Sequence, residues 1–372
     1  MKKWRGIVIT WAALLVITGC GKQVYIETQR FVIAGGIDFD EEKKLVNYTA
    51  STVFSKEAKD KYKVTAATAD TLRETRIKVG QKINGNIVSG KLQSFMIGKN
   101  LLMQTNVLPY LDAFYRDPKN ETNANMIVVD GSVKDVMYTN MSDKGSLGGV
   151  IKQLLESTYQ SRISVITTLQ QFHQQMKDSR ITPSLPEMKT EKNELVISGT
   201  ALLHKDGTYA ASLNHQESSL LFLLQRNTKK PIPLTVHIPR EISLTDEEMS
   251  YASFNIRKIN VDFKPIFDES HLTIDIQMKV VIELSERMFT FDMKKKGKTL
   301  AQAIEQELKK QCEALIKKAQ LHQVDPFGFG IYVSAYDYKN WMKVEEHWVK
   351  TFSEATVNYS PTVVIRNIGV AE

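Results

Sequence analysis

The chain has 372 residues, 42% hydrophobic and 24% charged, with a formal charge of +7 and two cysteines. That length and balance suggest two or three globular domains and argue against long disordered spans, while two cysteines leave no disulfide framework to staple a small core. A net charge this modest, with no zinc-finger spacing and no basic module interleaved with aromatics, argues against a nucleic-acid partner.

The N-terminus reads as an export signal. Met1-Lys2-Lys3-Trp4-Arg5 is a positive start, and Ile7 to Ile17 is an apolar run too short for a membrane span, which needs roughly 20 residues. Ile17-Thr18-Gly19-Cys20 has the pattern of a bacterial lipobox, with small side chains before a cysteine whose sulfur takes a diacylglycerol. Residues 1–19 are therefore expected to be removed, and Cys20 to become the lipid-bearing first residue. Removal of Lys2, Lys3 and Arg5 leaves a charge of +4, which suits a position near an anionic membrane surface. Cys312 is then without a partner for a disulfide.

Phe31 to Ala34 and Leu45 to Phe54 read as two paired strands around the acidic turn Asp40 to Glu42, and the spacing of Asp38, Asp40, Glu41 and Glu42 lacks the glycine and terminal glutamate of a calcium loop. Asp70 is the expected cap of a helix reaching Val79. Gln93 to Ile97 is a strand, Asn106 to Tyr115 a helix with Pro109 in its first turn, and Met126 to Val129 a strand stopped by Asp130-Gly131. Ser146 to Thr158 is an amphipathic helix, and Ser164 to Met176 is expected to be another, with His173 on its polar side. Asp178 to Asn193, carrying Pro183 and Pro186, reads as a linker.

Beyond it, Glu194 to Leu203 and the stretch from Tyr209 form strands about an Asp206-Gly207 turn. Leu220 to Leu224 is a buried helix or strand. Phe254 to Phe267 and His271 to Leu284 alternate as a long hairpin. Lys294 to Lys298 is expected to be a solvated turn, with Thr299 capping a helix to Leu321 whose apolar face holds Leu300, Ile304, Leu308, Cys312 and Leu315. Cys312 reads as a buried structural thiol. Asp325 to Gly330 then makes a corner, with positive φ available to Gly328 and Gly330, before a helix from Tyr338 to Phe352 and a strand from Thr362 to Gly369. The spacings of a P-loop, of G-x-S-x-G, of H-E-x-x-H and of a dinucleotide fingerprint are all missing, and Glu217 has no motif support as a hydrolase acid.

In order and spacing, several of these stretches resemble the C subunit of GerA-type spore germinant receptors. They are the lipobox at Cys20, Ala34-Gly35-Gly36-Ile37-Asp38, Met96-Ile97-Gly98, Tyr115-Arg116-Asp117-Pro118, Ser198-Gly199-Thr200-Ala201-Leu202, and Asp325 to Gly330 with Trp341 and Trp348. Gly21 to Tyr25 departs from the charged, Trp-containing segment usual at that place. The resemblance implies a three-domain α+β ectodomain with mixed or antiparallel sheets and packed helices, spanning 20–190, 191–250 and 251–372. It implies a lipid-anchored, non-catalytic subunit on the outer leaflet of the spore inner membrane. Such a subunit acts in nutrient sensing through two integral membrane partners of A and B type. Cys20 is the only expected site, carrying diacylglycerol and an N-acyl lipid, with no other cofactor or metal. A transporter-like partner is the expected nutrient site, so the ectodomain is expected to be inert toward amino acids and sugars. An extracytoplasmic solute-binding lipoprotein is the alternative, and a surface hydrolase ranks last.

Overall fold

The computed structural model describes Trp4 and residues 25–54, 61–117, 120–139, 145–243, 250–268 and 271–367. Cys20 and the lipobox lie outside the described residues, as do Pro118 and the hairpin tip at 269–270.

At the centre of the first sheet lie two short strands made almost wholly of apolar or small residues. β5 (Ser94–Gly98) and β6 (Asn125–Val129) are buried along their whole length. Side chains alternate across a strand, so Phe95, Ile97, Met126 and Val128 enter one core and Met96, Ile127 and Val129 the other. A strand buried on both faces needs cover on both. One layer consists of α1 (Leu72–Lys82), α2 (Lys99–Gln104), α3 (Leu108–Arg116) and α6 (Leu169–Lys177). The other consists of α4 (Val133–Tyr138) and α5 (Leu147–Gln160).

Among the described residues the sheet has nine strands. Its order is β3 (Tyr62–Ala69), β2 (Leu45–Thr52), β1 (Gln29–Phe39), β5, β6, β7 (Ser184–Glu191), β8 (Glu194–Leu203) and β9 (Tyr209–Leu213), and short β4 (Asn86–Val88) also pairs with β1. β1, β5, β6 and β7 run parallel and the outer strands antiparallel. The expected pairing of the first two strands is present, and Asp206-Gly207 makes the β8–β9 turn, with Gly207 at φ +84°.

The expected linker at 178–193 is instead the buried strand β7 and a hairpin. Leu185 and Met188 are fully buried, and the two-residue turn Lys192-Asn193 has positive φ at both positions, the geometry that matches strand twist. The prolines misled because Pro183 precedes the strand and Pro186 sits within it. Helix starts also shift. Thr71, not Asp70, caps α1, and α6 begins at Leu169 with a Thr168–Gln171 capping box, so Val165 precedes the helix.

The second sheet runs β10 (Ile232–His237), β11 (Tyr251–Asp268), β12 (His271–Arg287) and β13 (Thr356–Asn367), with the one-turn α8 (Arg240–Ser243) between β10 and β11. The long hairpin is β11–β12, and β13 pairs parallel to β12. β13 begins at Thr356, earlier than its sequence suggested, and takes its register from β12. Over this sheet lies α9 (Met293–Leu321), about 43 Å long at the helical rise, burying Leu300, Ile304, Leu308, Cys312 and Leu315 as expected. It starts six residues before Thr299, with Asp292 accepting from the Lys295 N–H, so the lysine cluster is the exposed first turn of a helix and not a turn before one.

The two sheets meet on α7 (His215–Leu224). Its residues Ser218 to Leu224 are all buried, the mark of a helix with protein on every side. Ser218 donates to Thr200 on β8, Gln216 to the Thr235 carbonyl on β10, and Lys318 of α9 to Glu217 at 2.8 Å. Because Leu221 serves one core continuous across both sheets, Leu221→Ala should destabilise the protein by about 2–5 kcal/mol. Denaturant unfolding followed by near- and far-UV circular dichroism should show a single transition at a lower midpoint.

Candidate functional site

Four parallel strands end on one edge of the first sheet, the place where α/β sheets collect functional groups. Asp38 closes β1. Its carboxylate, nearly buried, accepts from the Val133 N–H at 3.1 Å and the Phe39 N–H at 2.9 Å. Burial pushes this carboxyl up and the two N–H groups pull it back. Gly98 must be glycine here, since a Cβ would stand 2.2 Å from Asp38 Oδ1. The stretches 34–38 and 96–98 thus meet around one carboxylate.

Beside it Lys99 opens α2 and reaches Asp130 at 3.0 Å and Glu187 at 3.3 Å, with its ammonium 4.8 Å from the Tyr209 ring. Glu187, on β7, also accepts from Ser212 and from the Tyr209 hydroxyl at 3.2 Å. Burial works against the lysine's charge, but the bonds to Asp130 and Tyr209 and the nearby Glu187 charge override it and hold it well above the usual lysine range. A lysine held so firmly charged is an ion-pair anchor and a poor base. Chemically, the edge can lock strand ends together.

The second constellation is the corner at 325–330. Asp325 is fully buried and accepts from the Phe329 N–H at 3.2 Å, the Gly330 N–H at 3.0 Å and the Trp348 indole at 2.9 Å. It caps α10 (Phe329–Tyr336), and α11 (Tyr338–Val344) follows. Gly328 lies at φ +71°, the left-handed geometry foreseen for it, whereas Gly330 is outside that region and is small because a Cβ would meet the Arg180 carbonyl at 2.7 Å. The Asp325 carbonyl receives the Thr182 N–H at 2.9 Å, and Gln225 donates to the Pro326 carbonyl at 2.8 Å. The corner therefore joins the 178–182 segment, the end of α7 and the C-terminal helices. Phe327 and Phe329 share a core with Leu308, Cys312 and Leu315. The expected single helix from 338 to 352 is broken by a 3-10 turn at Glu345–His347 into α11 and α12 (Trp348–Glu354), which brings Trp341 and Trp348 ring to ring at 5.2 Å.

The other singled-out residues are structural. Glu217 is the third residue of the α7 capping box and pairs with Lys318. His173 lies against the Tyr115 ring at 4.4 Å. Burial pushes the Cys312 thiol up to about 12, far from thiolate reactivity. Among the described residues no cluster of His, Cys, Asp and Glu could hold a metal, and no helix is long and apolar enough to cross a membrane. The sequence showed the roles of neither Asp38 nor Asp325, although each stands inside a stretch that carries the family resemblance.

Two mixed sheets joined by a buried helix, with charged clusters closed in ion pairs and caps, define an α+β protein. Residues 22–190 match the spore germination protein N-terminal domain, and residues 198–369 match the spore germination B3/GerAC-like C-terminal domain. The chain belongs to this Ger(x)C family of spore germination proteins. It is 21% identical over 374 residues to the spore germination protein GerQC of Bacillus cereus, covering 100% of both chains. It is also 22% identical over 376 residues to YfkR of Bacillus subtilis (strain 168), provisionally named a spore germination protein, covering 96% of this chain and 94% of that one. The crystal structure of GerBC shares the fold, with a TM-score of 0.55, 16% identity and coverage of 90% of this chain and 98% of that one.

Gly98→Ala should lower stability by about 3 kcal/mol or more, because the added carbon has only a buried carboxylate to displace; its unfolding midpoint in urea measures this. Asp325→Asn should cost about 2 kcal/mol, since an amide N–H₂ faces donors that a carboxylate oxygen accepted. Its pH dependence has a definite sign. Burial raises the Asp325 carboxyl to about 6, so its stabilising contribution is full below the unfolded value near ~4 and is lost as pH rises through 6. The stability gap between parent and Asn variant, read from melts at pH 4, 5, 6 and 7, should narrow with rising pH.

Proposed function

We propose that the chain is the lipid-anchored subunit of a spore nutrient germinant receptor. It is held on the outer leaflet of the spore inner membrane through a diacylglycerol and an N-acyl lipid on Cys20. It acts through contacts with two integral membrane subunits of A and B type and has no catalytic step of its own. The observation that carries this reading is the closeness of lipobox and family match: the N-terminal family region begins at residue 22, two residues after Cys20. A folded body that begins where a lipid is attached is tethered close to the bilayer, and two acyl chains are enough for stable anchoring. Further support comes from Asp38 and Asp325 of the motif stretches and from the neighbouring Lys99 and Glu187, which are taken up in internal bonds. We place the domain limits at 20–190, 191–250 and 251–372, with the middle segment supplying β8, β9 and α7 to the join between the sheets.

The test is Cys20→Ala in the spore-forming host. The variant should leave the membrane fraction, fail to incorporate radiolabelled lipid and fail to co-purify with the two membrane subunits. A variant that fractionates and labels like the parent removes the lipoprotein assignment. Retained lipid without co-purification of the membrane subunits favours a free solute-binding lipoprotein instead.

A further inference from the structure

The face of β2 that lies under α1 carries consecutive buried polar side chains. Residues 45, 47, 49 and 51 alternate onto one side. Leu45 enters the core there, but Asn47, Thr49 and Ser51 follow, each more than nine-tenths buried. Across the ladder from Thr49 stands Thr65, whose buried hydroxyl has no partner. Among the described residues the Asn47 amide and the Thr49 hydroxyl also make no hydrogen bond. Buried polar groups left without partners beneath a helix are what a core avoids and a binding site uses.

Asn47 and Thr49 line a cavity of about 50 Å³ between the sheet and α1, walled by Val32, Leu72, Val79, Leu92, Phe95 and Phe114. Gly35 forms part of its floor; a Cβ there would come within 3.2 Å of the Phe95 ring. At the mouth, where the cavity meets an open groove along α1 and α3, stands Arg76. Its Nη2 donates to Ser89 at 3.1 Å and to Asn120 at 2.9 Å, and its guanidinium lies 5.5 Å from the Phe114 ring centre. Asn120 is itself fixed by donating to the Ala113 carbonyl at 3.0 Å. One nitrogen is thus used to aim the group, while Nε and Nη1 have no hydrogen-bond partner among the described residues. Burial works against this positive charge and the nearby Asp117 only partly supports it.

We propose that this cavity binds a short aliphatic carboxylate bearing a second hydrogen-bonding group. The carboxylate sits on the free edge of Arg76 and the hydroxyl or amino group reaches Asn47 and Thr49. Arginine presents a planar fork matched to carboxylate. The apolar walls take the carbon chain, and the volume, on the order of four water-sized atoms, keeps it short. A plain fatty acid would leave Asn47 and Thr49 unpaired, so the second polar group is part of the recognition. This departs from the expectation of an inert ectodomain and depends on neither the lipid nor the membrane partners, so its failure and that of the receptor reading are distinguishable.

The test uses the full-length protein in mild detergent, with ligand-observed NMR and calorimetry. The probes are 4-hydroxybutyrate and 4-aminobutyrate, compared with butyrate and 4-hydroxybutyramide at millimolar concentration. At least one of the two bifunctional acids should bind, and removing either its carboxylate or its second polar group should weaken binding by about tenfold or more. Arg76→Gln should abolish binding. Thr49→Val should weaken binding while raising Tm, a pair of opposite effects that a purely structural threonine would not give. If Arg76→Gln fails to fold, the ligand series on the parent protein decides. Absence of binding by both acids, or binding indifferent to loss of the carboxylate, overturns the proposal.

Discussion

A carboxyl group with no access to water, at Asp325, holds the molecule together at its seam. Burying an ionisable group is unfavourable unless donors converge on it, and three do: two backbone N–H groups at the start of α10 and the Trp348 indole. Those donors come from places that must all be correct at once. The helix has to begin at Phe329, the broken segment has to return Trp348, and the 178–182 stretch has to lie close enough for Thr182 to reach the Asp325 carbonyl. The apolar partners, Phe327, Phe329, Phe352 and the two tryptophans, supply most of the burial, but apolar contact has no direction. The carboxylate supplies the direction.

Asp38 plays the corresponding part at the other end of the first sheet. It ties β1 to the start of α4, and Gly98 yields the space it occupies. Lys99, Asp130 and Glu187 then fasten α2, the end of β6 and β7 to one another. Each of these groups faces another part of the same chain, so the edge holds strand ends and helix starts in fixed relation.

Where the sequence is periodic, the fold is legible in it. The stripe of α9, the alternation of β11 and β12, and the caps Ser146 and Asp292 each leave a local trace, although the four lysines after Asp292 read as a turn and hide that cap. What the sequence could not convey is long-range. β7 resembled a linker because its prolines and charges carry no period, yet it is a strand because β6 and β8 lie on either side. Parallel pairing of β1, β5 and β6 depends on crossovers and leaves no turn signal between the strands. Asp325 looked like a helix stop before a proline, and its three donors come from positions 4, 5 and 23 residues further on. The polar face of β2 was visible as Asn-Tyr-Thr-Ala-Ser, but only the helix lying over it makes those residues unusual.

The placement of β13 has a consequence for the order in which the chain folds. β12 has β11 beside it as soon as the hairpin closes, but its other edge waits for Thr356 to Asn367, which follow the long helix and three short ones. A chain delivered N-terminus first therefore completes its first sheet early and carries the second with one raw edge until Thr356 to Asn367 are available. Unpaired strand edges are sticky, and non-local pairings form slowly. The length of α9 bears on this: a helix can form locally and cover the apolar face of the unfinished hairpin before the final strand arrives. The helix then acts first as a shield and only later as one layer of a finished core.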